Sequence, residues 1–182
     1  MLIRDFGTVL PYQDQWRLIA IDVLQPWLKG TLSVGSFFQP ANDHLDVLGR
    51  LYSFALLRAN GQWNNLLEIT LNAVLHGMTV LLLVITVVPA MSRFAAVVLA
   101  LVAGLVAGLP YSWENSLFGA QINPILEVGF SLAYMRAMIL AKNCSPGWWL
   151  GQAAAMLVLL TQRSGVLVLA PVAGLHLWRL WH

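Results

Sequence analysis

The chain has 182 residues, of which 59% are apolar and only 10% charged, with a mean hydropathy of +0.72. Soluble domains carry about 25% charged residues, so this chain needs lipid as part of its solvent. A formal net charge of +2 without any basic run excludes a nucleic-acid-binding surface, and a single cysteine, Cys144, excludes an internal disulfide and a multi-cysteine metal site.

The N-terminal stretch MLIRDFGTVLPYQDQW has neither a basic n-region nor an apolar h-region and does not read as a signal peptide. From Tyr12 to Lys29, an apolar stripe of Trp16, Ile19, Ala20, Val23 and Trp27 predicts an amphipathic helix that Pro26 bends or ends. The glycines, serines and Pro40 of GTLSVGSFFQPAND predict a loop. A second helix is expected to start with Asn42 or Asp43 as its N-cap and to stop at Asn60-Gly61. Leu45, Leu48, Leu51, Tyr52 and Ala55 would form its apolar face, opposite Asp43, Asp46, Arg50 and Ser53. The spacing from Asp46 to Arg50 permits an exposed ion pair. Both helices read as interfacial, with tryptophans at headgroup level.

Beyond Gly61 the pattern becomes a series of apolar runs, predicted as spans at 64–88, 93–109, 118–140, 147–161 and 164–181. The fourth is short against the roughly 20 residues that about 30 Å of hydrocarbon requires. In the first, Asn65, Glu68, Asn72, His76 and Thr79 recur at steps of three and four, which places them on one stripe. A carboxylate and an imidazole at membrane depth face protein or a wet cavity, so this stripe is expected to turn inward. Glu127 would reach the depth of His76 and pair with it. Tyr134 and Arg136 would anchor one end of the third span, and His176, Trp178, Arg179 and Trp181 the end of the last. Gly104 and Gly108 fit the G-x-x-x-G spacing that lets membrane helices approach closely. The fold class expected is therefore all-α: a polytopic membrane helix bundle of about five spans at 63–182, preceded by two interfacial amphipathic helices at 1–62. With Arg93, Arg136, Lys142 and Arg179 on one side, that side and the C-terminus are cytoplasmic. Residues 1–62, PYSWENS and TQRSG would then share the outer face of the membrane.

That face gathers Asp5, Asp14, Asp43, Asp46 and Glu114 with Asn42, His44, Asn115 and Arg163. Carboxylates there could serve as a general base or as oxygen ligands to a divalent cation, or could be ordinary solvated loop residues. The stretches PYQDQW, SFFQPANDHLDVLGRLYSFALLRANG, NNLLEITLNAVLHG, WENSLFGAQINPILEVGFSL and LLTQRSGVLVLAPVAGLHLWRLW, in that order, resemble a group of uncharacterised bacterial multi-pass membrane proteins. That group is itself similar to the C-superfamily of polyprenyl-phosphate-sugar glycosyltransferases. Asn42-Asp43-His44 matches the group's asparagine-acid-histidine-arginine stretch at three positions, with Leu45 where arginine is usual and Arg50 as the nearest cation. Trp113-Glu114-Asn115 and Gln121 stand intact.

The resemblance implies transfer of a sugar from a polyprenyl phosphate on the extracytoplasmic face, with membrane lipid and that sugar donor as partners. It implies Asp14 as the first candidate for the catalytic base and Asp43 as the second. His44, Arg50, Glu114, Asn115, Gln121 and Arg163 would bind phosphate, acceptor or sugar, with a divalent cation as the candidate cofactor. The likeness covers only the N-terminal part of the longer pattern, so a truncated or inactive piece is also expected. A transporter or channel component, with the polar stripe lining its path, and a non-catalytic membrane scaffold are the alternatives.

Overall fold

The computed structural model describes residues 2–40, 45–109, 113–162 and 164–181. The described residues are helical, with no strand among them. In chain order they form α1 (Leu2–Phe6), a π-helical segment (Trp16–Leu24) continuing into α2 (Gln25–Leu28), α3 (Val34–Phe37) and α4 (Val47–Asn60). Then come α5 (Asn65–Val87), α6 (Arg93–Gly108), α7 (Trp113–Ser116), α8 (Ile122–Leu140), α9 (Pro146–Leu159) and α10 (Gly165–Trp181).

The caps follow from local chemistry. The Asn64 side-chain oxygen accepts from Leu67 N at 3.2 Å to open α5, and Ser92 and Ser145 do the same for α6 and α9 at 3.3 Å. Gly61, at φ 74°, ends α4 in the left-handed conformation that suits glycine. Neither internal proline breaks its helix. Pro124 sits in the first turn of α8, where its missing N–H has no intrahelical partner to lose, and α10 continues past Pro171. The expected loop after Lys29 contains one helical turn, α3, at whose start Ser33 N donates to Ser36 Oγ at 3.3 Å.

α5, α6, α8, α9 and α10 fall at the five predicted apolar runs, within a few residues. One of them is long and apolar enough to cross a bilayer on its own: Asn65–Ala90, with mean hydropathy 2.2. α6 and the Gly165–Trp178 stretch of α10 are apolar but shorter. α5 and α8 run parallel, since Asn72 meets Gly119, Thr79 lies against Gly129, and Arg136 Nη1 donates to Ile85 O at 3.2 Å. α9 returns antiparallel on α8, and a Cβ on Gly151 would come within 2.5 Å of Ala137 Cβ. Small residues at this contact let the two backbones approach closely. Tyr134, Met138 and Ala154 form the buried core there, backed by Trp148, Leu169 and Val172. Tyr134 is thus a core residue and not the interfacial anchor expected from its position.

α6 buries nothing. Phe94, Leu101 and Leu105 point outward, as do Met78 and Leu81 of α5, Leu150 and Met156 of α9, and Leu167 and Leu177 of α10. Gly104 and Gly108 have no heavy atom within 4 Å of an added Cβ, so the G-x-x-x-G spacing is not used for packing within this chain.

One amphipathic helix, α4, turns inward the face opposite to its apolar stripe. In α4 the polar side is buried: Asp46, Arg50 and Ser53 are all inside, whereas Leu51 and Ala55 are exposed. Both residues of the Asp46–Arg50 spacing are buried, and Arg50 pairs with Asp22. In the π-helical segment the predicted stripe holds for Ile19 and Val23, which are buried, and for Ala20 and Trp27, which are half-buried; Gln15 and Leu18 join them inside, while Trp16 stays exposed, edge-on to Trp63 at 5.7 Å.

Candidate functional site

One end of the bundle is polar inside. The start of α5 brings Asn65, Glu68 and Asn72 inward, where residues 8–19, α4 and the turn at Gly119–Gln121 cover them. Glu68 is 1% exposed. Gln15 Nε2 donates to its Oε2 at 2.8 Å and Trp63 Nε1 to its Oε1 at 3.1 Å, and the Ser53 side chain adds a third hydrogen bond. Gln15 is held in turn by Tyr12 N, which donates to its Oε1 at 2.9 Å. Asn65 Nδ2 donates to Thr8 O at 3.1 Å, and Asn72 Nδ2 to Gly119 O at 2.8 Å. Tyr52 donates its hydroxyl to Glu68 O at 3.3 Å. Burial, and then the nearby Glu68 carboxylate, push that hydroxyl's pKa above its ordinary value.

A second polar layer adjoins the first. Arg50 is 1% exposed. Its Nη2 pairs with Asp22 Oδ2 at 2.6 Å, its Nε donates to Leu18 O at 3.3 Å, and its Nη1 donates to Phe37 O at 3.2 Å and to Gln39 O. One guanidinium thereby ties the π-helical segment, α3 and α4 together. Gly49 N donates to Asn123 Oδ1 at 3.0 Å, joining α4 to α8. Between the layers lies a cavity of about 10 Å³ walled by Gln15, Asp46, Arg50, Ser53 and Asn123, about the room one water requires.

The stripe on α5 turns inward only for its first two turns. Asn65, Glu68 and Asn72 are buried and Thr79 half-buried, but His76 is exposed. The segments that cover the stripe end at the level of Asn72, and below it α8 covers α5 on one side. Glu127 reaches the level of His76 but turns elsewhere, accepting from Ser164 Oγ at 2.7 Å. The predicted His76–Glu127 pair is replaced by a contact between α8 and the start of α10.

Of the candidate site residues, Asp14, Glu114, Asn115 and Gln121 lie at this polar end. Asp14 is exposed just before the π-helical segment, where its backbone oxygen accepts from Leu18 N at 2.9 Å. Glu114 and Asn115 are exposed on α7, and Gln121 Nε2 donates to Asn115 Oδ1 at 3.0 Å. The two stretches meet through Tyr12 and Phe118, whose rings are edge-on at 6.2 Å. Arg50 is committed to Asp22 and three carbonyls, which makes it a structural post of this end. Asn42, Asp43, His44 and Arg163 lie outside the described residues. Among the described residues there is no group of three or more His, Cys, Asp or Glu side chains placed to hold a metal ion.

Sequence reasoning missed Gln15, Asp22, Ser53, Trp63, Gly119 and Asn123. A signal existed in α4, where Gly49 and Ser53 share the polar face with Arg50, because small residues at that spacing mark a face that packs closely. Compared with known proteins, the chain matches no family model, no curated protein and no solved structure.

Proposed function

We propose that the chain is a polytopic protein of a bacterial inner membrane that acts, in the manner of a glycosyltransferase, on a lipid-linked sugar at its extracytoplasmic end. The observation that carries this reading is the desolvated polar head over α5 and α8, with the Asp14 and Glu114 carboxylates exposed on it. About five helices would cross, with the C-terminus cytoplasmic. The outward apolar side chains of α5, α6, α9 and α10 support a lipid surround, since an apolar exterior of that extent is unstable in water. The shorter helices would be accommodated by local thinning of the bilayer.

In this reading an acceptor oxygen bonds to the sugar's anomeric carbon as that carbon's bond to the polyprenyl phosphate breaks, the phosphate leaving with the electron pair and the hydroxyl proton passing to Asp14, or to Asp43. Glu114, Asn115 and Gln121 offer hydrogen bonds to sugar hydroxyls, and the phosphate falls to His44 and Arg163, because Arg50 is already engaged. The test is transfer from a polyprenyl-phosphate sugar in membrane vesicles. Asp14→Asn should lower the rate by about 10²–10⁴-fold, the usual contribution of a general base, with insertion unchanged. An unaffected rate in Asp14→Asn, or no transfer by the wild type, rejects the reading and leaves the transporter component and the scaffold.

Sidedness has its own check in the single cysteine. Cys144 is exposed in the turn between α8 and α9. A membrane-impermeant maleimide should label it in inverted vesicles and not in intact spheroplasts. Labelling from outside would invert the topology and remove the polar head from the extracytoplasmic face.

A further inference from the structure

We propose that Asn65, Glu68 and Asn72 bind a dehydrated monovalent cation of the sodium class at the head of α5, beside Gly119. The three side chains are 0%, 1% and 5% exposed, and they stand on one stripe of the helix. Two independent observations converge on them.

The first is charge. Glu68 receives hydrogen bonds from Gln15, Trp63 and Ser53, all neutral, and among the described residues no cationic side chain pairs with it. The nearest buried guanidinium, Arg50, is neutralised by Asp22. The Tyr52 hydroxyl donates to the Glu68 backbone oxygen. Neutral donors stabilise a carboxylate without cancelling its charge, and an uncompensated buried charge is strongly unfavourable.

The second is the amide oxygens. Asn65 Oδ1 and Asn72 Oδ1 are buried with no donor facing them. The Nδ2 atom of each asparagine is engaged, by Thr8 O and by Gly119 O, which fixes the amide orientation and holds each carbonyl oxygen in place. Asn65 Oδ1 and Glu68 Oε2 face the same side of Gly119, at 2.7 and 2.4 Å from the point its Cβ would take, beside Gln15 Nε2, which donates to Glu68 and lies 2.4 Å from that point. A buried negative charge flanked by acceptor oxygens that lack donors is the arrangement a hard cation satisfies. Oxygen-only ligation excludes soft metals, and a single carboxylate balances a single positive charge.

The experiment is thermal unfolding of the full chain in detergent micelles, in sodium, potassium or choline chloride at constant ionic strength. Sodium at about 100 times its Kd should raise Tm by roughly 5–10 °C over choline, and Glu68→Gln should abolish the difference. Asn72→Ala should raise the half-maximal sodium concentration at least tenfold, which keeps the idea testable if Glu68→Gln does not fold. Equal Tm in all three salts, a sodium effect that survives Glu68→Gln, or an unchanged half-maximal concentration in Asn72→Ala overturns the site. So does full stabilisation by acid in choline alone, which would assign the position to a proton.

Discussion

Replacing Arg50 with alanine is expected to destabilise the protein by about 3–5 kcal/mol, the usual loss when one partner of a buried ion pair is removed. For a chain of this size that corresponds to a fall in Tm of roughly 10 °C or more, measured by thermal unfolding in detergent. The size follows from what the guanidinium joins. Asp22, whose side chain is only 20% exposed, would keep its charge without a partner, and the carbonyls of Leu18, Phe37 and Gln39 would lose their donor together. Arg50→Lys should not rescue this, because one ammonium on a flexible stem cannot reproduce the planar fork that reaches three segments. The double replacement Arg50→Met with Asp22→Leu should recover much of the loss, since a buried pair exchanged for apolar groups is often neutral or better. A single-variant loss below about 1 kcal/mol would place the guanidinium in water.

That the helices are legible in the sequence while the inward face of α4 is not has a physical explanation. Long apolar runs bounded by Asn64, Ser92 and Ser145 announce both the existence and the starts of α5, α6 and α9, because apolar length and capping are local properties. The inward face of an amphipathic helix is not local. It depends on what the helix meets, and α4 meets a polar stripe: Ser53 reaches Glu68 and Gly49 reaches Asn123. Its Leu51 and Ala55 then look outward, the reverse of the soluble-protein rule. The head of the α5 stripe was legible, since periodicity puts Asn65, Glu68 and Asn72 on one side. That His76 drops out of it was not, because the covering segments come from residues 8–19 and 119–121, far away in the chain. Gln15 is the sharpest case. A single glutamine next to Trp16 carries no periodic signal, yet it is fully buried and holds Glu68 at 2.8 Å.

Gly119→Ala is expected to destabilise the protein by about 2–3 kcal/mol, the upper range for overpacking a filled site, although it adds one methyl group. A Cβ on Gly119 would stand 2.4 Å from Gln15 Nε2, 2.4 Å from Glu68 Oε2 and 2.7 Å from Asn65 Oδ1. None of these atoms is free to retreat, because Gln15 is pinned by Tyr12 N, Glu68 by Trp63 and Asn65 by Thr8 O. The methyl must therefore break a hydrogen bond to the buried carboxylate or push the Gly119–Gln121 turn off the head of α5, which would also loosen the Asn72 contact to Gly119 O. Gly104→Ala is the matching control. It adds the same methyl to a glycine with nothing within 4 Å, in the interior of α6, where alanine is favoured over glycine by up to about 1 kcal/mol. The two variants should thus move Tm in opposite directions. If Gly119→Ala melted like Gly104→Ala, the polar head would have to be open enough to admit a methyl group beside Glu68. The carboxylate would then lie in water, where neither a structural cation nor a desolvated network is needed to hold it.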